Sequence, residues 1–138
     1  MAHMNFLINS KFAIHGLLTI LSLFILFHLL VILNVIPFGV VWGGTMKDRS
    51  QMLTFETVSI IINILMLAVA AIKAGYLKIS INQVMVRVIL WIMFALFVMN
   101  TLGNLLSHNQ FEKIVFTPVT LILSIFSLRV AIVKANGS

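Results

Sequence analysis

The chain of 138 residues has no cysteine, two prolines, one tyrosine and three acidic residues. Without cysteine there is no disulfide framework, no thiolate metal site and no thiol nucleophile. Charged residues make up 9% of the chain, against about a quarter in soluble domains. A water-exposed surface cannot be covered with so little charge, which excludes a soluble globular domain, and so apolar a composition also excludes disorder. Further signatures are missing. There is no His-Glu-x-x-His zinc helix, no Gly-x-Ser-x-Gly nucleophile elbow, no P-loop and no Gly-x-Gly-x-x-Gly turn. Two axial histidines for a haem would have to lie at matching depth, and His28 and His108 fall more than two helical turns apart. The reading therefore includes no metal and no cofactor.

What is present is apolar. Hydrophobic residues account for 62% of the chain, and the mean hydropathy is +1.18. The formal charge is +6 and the pI about 10.4. Because the basic residues flank long apolar runs, anionic lipid headgroups are the expected partner and nucleic acid is not. Met1-Ala2-His3-Met4 reads as a cloning scar with a native start at Met4, so His3 is discounted as a ligand. Residues 5–138 then form a single membrane domain.

Four apolar segments each approach the roughly 20 residues needed to span hydrocarbon, at about 11–36, 49–74, 81–107 and 114–134. Ser10 is the expected N-cap of the first, and Pro37 its stop. Asp48 and Gln51 fit a capping box for the second, with Gly75 at its C-terminal cap. Ser80 and Gln83 form a similar box for the third. For the fourth, Thr117 caps and Pro118 opens the helix, or else the helix begins earlier, near Glu112, with Pro118 inside its first turns. The expected fold is thus an all-α integral membrane protein, an up-down-up-down bundle of four transmembrane helices. No heptad seam or Gly-x-x-x-Gly pair argues for dimerisation, which leaves the oligomeric state open.

Lysine and arginine placement predicts the orientation. Lys11, Lys73, Lys78, Arg87, Arg129 and Lys134 gather on the side of the termini, with no acid. Lys47, Arg49 and Lys113 share the other side with Asp48, Glu56 and Glu112. The bias places both termini in the cytoplasm.

Polar side chains within the spans are costly and usually face the bundle interior. Counting about 1.5 Å per residue inward from the outer helix ends, His28 lies about 12 Å down, and Glu56, Asn100 and Ser124 lie near 10 Å. Each span thus contributes one polar residue to a single layer. Three stripes extend it: Glu56, Ser59 and Asn63; Asn100, Asn104 and His108; Thr117, Thr120, Ser124 and Ser127. Together they would line a polar cleft opening outward. Trp42 and Asn104 would stand at its entrance, and Asp48, Arg49 and His108 at its mouth. Glu56 would be its charge centre, able to carry a proton or act as a general acid, with His28 as proton partner. Pairing of Glu56 with Arg49 near the surface is the plainer alternative. Arg129 either binds a lipid phosphate or snorkels to headgroups.

Three stretches, Val41-Trp42-Gly43-Gly44 to Met52 with Phe55-Glu56, Asn100-Thr101-Leu102-Gly103-Asn104, and Glu112-Lys113-Ile114-Val115-Phe116-Thr117-Pro118, together resemble a family of small four-span bacterial membrane proteins with no assigned activity. The resemblance implies a bacterial cytoplasmic (inner) membrane and no particular chemistry. Three functions remain on this reading. The first is binding or transport of a small-molecule ligand in the polar pocket. The second is an accessory subunit whose polar residues are interhelical glue. The third is a membrane enzyme using Glu56 and His28 as an acid–base pair on a lipid-soluble substrate.

Overall fold

The computed structural model describes residues 9–41 and 46–133. Over these residues the chain forms four helices long and apolar enough to cross a membrane: α1 (Ser10–Ile32), α2 (Arg49–Ala74), α3 (Gln83–Leu105) and α4 (Glu112–Ala131). One short 3-10 turn, Phe38–Val40, lies between α1 and α2.

The helix ends follow local chemistry. Asn9, one residue before the expected Ser10, caps α1 by accepting the Lys11 N–H at 2.8 Å. α1 stops at Ile32, four residues short of the expected end at Ile36. Asn34 takes a left-handed φ of 63° there, and the Val35 N–H reaches back to the Leu30 carbonyl at 2.9 Å. Asparagine tolerates this conformation and ends the helix before Pro37 can. At α2 the Asp48 carboxylate accepts from the Gln51 N–H at 2.9 Å, while the Gln51 side chain reaches back to the Lys47 N–H at 2.8 Å. Gly75 closes α2 with φ 88°, a value costly for any residue with a Cβ. Asn82 caps α3 at the Val84 N–H, so that helix starts two residues after the expected Ile81.

The start of α4 takes the earlier of the two readings. The Asn109 side chain accepts the Phe111 N–H at 2.8 Å and the Glu112 N–H at 3.3 Å, and helix runs on through Pro118. Proline has no N–H to offer, and its ring crowds the carbonyl four residues back. The chain answers with a wide π turn over Glu112–Phe116, in which the Thr117 N–H bonds to the Glu112 carbonyl five residues back.

The larger core cluster joins Leu17 and Leu21 of α1, Met66 and Ala70 of α2, Leu90, Met93 and Phe97 of α3, and Leu123 and Val130 of α4. A smaller one, built on Val31, Val41, Met46 and Met52, packs against Phe27 and Phe116. The densest packing joins α3 to α4 and α1 to α2. α1 also lies along α4, whereas α2 and α3 barely touch. At Gly16 the α1 backbone comes so close to α4 that an added Cβ would stand 2.3 Å from the Phe126 ring. The outward faces carry exposed leucine, isoleucine and valine along most of their length, as an acyl-chain solvent requires.

Candidate functional site

α2 carries Met52, Glu56, Ser59, Asn63, Met66 and Ala70 at alternating three- and four-residue spacing, so one stripe faces inward, with three polar residues flanked by apolar ones. Glu56 is completely buried on that stripe. α1 presents His28 opposite it, and His28 Nδ1 and Glu56 Oε2 share a hydrogen bond at 2.5 Å. This contact joins α1 to α2.

Beside the pair is a cavity of about 170 Å³. His28, Ser59, Asn100, Asn104, Glu112 and Thr120 provide its polar lining, so every helix contributes. Phe24, Phe27, Phe97 and Phe116 provide most of the apolar wall. Three of these rings are locked edge to face, with Phe27 and Phe24 lying 5.1 and 5.9 Å from Phe116 between centroids. A cavity near 150 Å³ can hold a benzene-sized molecule. The space is therefore sufficient for one small solute with an aromatic or aliphatic body and a polar head.

The expected layer is partly assembled here. His28 and Glu56 meet, and Asn100 and Asn104 line the cavity beside them. Ser124 does not reach it; its hydroxyl donates to the Leu121 carbonyl of its own helix at 2.6 Å. Trp42 lies outside the described residues, as do Gly43 and Gly44. At the expected mouth, Asp48 and His108 are exposed, and Asp48 is engaged as the α2 cap. The Arg49 guanidinium donates to the Ile32 carbonyl at 3.5 Å, at the C-terminal end of α1. Arg129 is buried, in the last turn of α4 and far along the helix from the cavity.

The residue that sequence reasoning missed is Glu112. It is buried, accepts a hydrogen bond from the Ser107 hydroxyl at 2.6 Å, and faces the cavity from the π turn. Reading the acids by side of the membrane placed it in an outer connection. The signal that could have found it is Asn109-x-x-Glu112, the spacing of an N-cap and its third helical residue. Thr120, noted only as part of a stripe, is the node of the α3–α4 contact. Its hydroxyl donates to the Phe116 carbonyl at 2.7 Å and accepts from Thr101 at 2.9 Å and from Asn104 at 3.4 Å.

Among the described residues no group of three or more histidine, aspartate or glutamate side chains is placed to hold a metal ion. No family model, curated protein or solved structure matches the chain.

Proposed function

We propose that the protein binds or transports a small molecule in the membrane, with the Glu56–His28 pair as the polar anchor of its site. On this reading the four helices cross up-down-up-down in a bacterial inner membrane. The termini are cytoplasmic, the cavity lies toward the outer side, and anionic headgroups surround the basic end. The observation that carries the reading is a fully buried carboxylate, paired with imidazole, beside a cavity to which all four helices contribute polar groups. Desolvating a carboxyl at this depth is expensive, and packing alone does not require it.

A second reading has its own support. The hydrogen bonds converging on Thr120 from Thr101 and Asn104 tie α3 to α4 in the way of interhelical glue, as in an accessory subunit.

Native mass spectrometry of gently extracted protein separates the two. Binding predicts a stoichiometric additional mass that disappears in Glu56→Gln and persists in Ser127→Ala. A bare mass in the wild type, together with a large fall in melting temperature for both Glu56→Gln and Thr120→Val, would favour glue.

A further inference from the structure

A second cavity, of about 580 Å³, lies at the opposite end of the bundle. Lys11 at the start of α1, Lys73 at the end of α2 and Gln83 at the start of α3 line it, and His15 forms part of its wall. Lys11 and Lys73 each lie seventeen positions along their helices from His28 and Glu56, so about 25 Å separates the two sites. Ile14, Ile72, Val86 and Val133 supply apolar walls.

The electrostatics here are one-sided. The three acids of the chain are Asp48, Glu56 and Glu112, and none lines this cavity. Arg87 lies within repulsive reach of the half-buried Lys73, which adds a third positive charge to this end. Neither ammonium group has a hydrogen-bond or ion-pair partner among the described residues. The His15 ring is already committed. Its Nδ1–H donates to the Lys11 carbonyl at 2.8 Å, and Nε2 accepts the Tyr76 hydroxyl at 2.8 Å. These bonds brace the first two turns of α1 against the residues that follow α2, and leave Lys11, Lys73 and the Gln83 amide as the donors lining the space.

We propose that this cavity is a phosphate-binding site, in which the Lys11 and Lys73 ammonium groups and the Gln83 amide grip phosphate oxygens and the apolar walls accommodate what the phosphate carries. Converging cations with no carboxylate nearby favour an anion, and bringing one in relieves the repulsion between Lys73 and Arg87. The site stands apart from the Glu56 cavity, and neither proposal depends on the other.

The test is a lipid titration of the full-length, detergent-solubilised chain, followed by native mass spectrometry. Phosphatidylglycerol should bind at one equivalent, and the double variant Lys11→Ala/Lys73→Ala should weaken it about 30-fold, the loss expected for two basic charges. The charge-matched control Lys47→Ala/Lys113→Ala, at the other end, should leave it unchanged, and Lys73→Arg should retain binding. Competition by millimolar inorganic phosphate would identify a free phosphate compound as the natural ligand. Failure to compete would identify a phospholipid headgroup. Equal weakening in the control pair, undiminished binding in the Lys11/Lys73 double variant, or loss of binding in Lys73→Arg would each overturn the proposal.

Discussion

Glu56 has no exposed surface, yet its carboxylate reaches an imidazole on another helix. Removing one member of such a pair leaves the other buried and under-solvated, so truncation costs more than the pair contributes. His28→Ala should lower unfolding stability by about 2 kcal/mol, below the usual range for a fully buried pair because His28 retains some exposure. With Glu56→Gln it should form a double-mutant cycle with a coupling of about 1–2 kcal/mol, read from unfolding in mixed micelles. A coupling near zero would mean that the two side chains are merely neighbours. His28 and Glu56 are legible from sequence because depth in a membrane scales with residue count and a polar residue at depth is costly unless it turns inward, whereas Asn100 lines the same cavity yet keeps exposed surface. Ser124 fails the same logic for a physical reason. A serine hydroxyl on a helix can satisfy itself on its own backbone, as it does at the Leu121 carbonyl, and then needs no partner across the bundle.

Among the elements, α4 departs furthest from a regular helix. Its π turn adds a residue to the first turns and directs Glu112 and Phe116 inward, and Pro118 is the evident cause. Pro118→Ala restores the missing N–H and removes the ring, so the α-helical bonding pattern becomes available again. In a Glu112→Cys background, this change should raise the rate of maleimide labelling several-fold as position 112 turns away from the cavity. An unchanged rate would show that the neighbouring helices, and not the proline, hold the wide turn. The four spans were legible because each is a long apolar run with a capping residue before it or a helix stop after it. The exact ends were less so. Asn34 ends α1 through a backbone conformation that composition does not announce, and Asn109 competes with Thr117 as the cap of α4.

At the scale of the whole molecule, charge and cavities divide the bundle into two unlike ends. One end gathers the acids and the smaller, aromatic-walled cavity, and the other gathers ammonium groups around the larger one. If the basic end faces the cytoplasm, Lys47→Cys should react with an impermeant thiol reagent in intact cells and Ser80→Cys should not. Reaction at Ser80→Cys alone would invert the orientation, and reaction at both would indicate mixed insertion.

The weak contact between α2 and α3 has a consequence for how anything reaches the aromatic-walled cavity. Ser59 of α2 and Asn100 of α3 both line the cavity, on two helices that barely touch, and Asn100 keeps exposed surface. On the proposed binding reading, a solute dissolved among the acyl chains would enter sideways between α2 and α3, parallel to the membrane plane. Its concentration at the doorway would follow its oil–water partition coefficient. In a series of solutes of equal size and equal polar head, occupancy would therefore rise with lipophilicity even where the contacts made inside were identical.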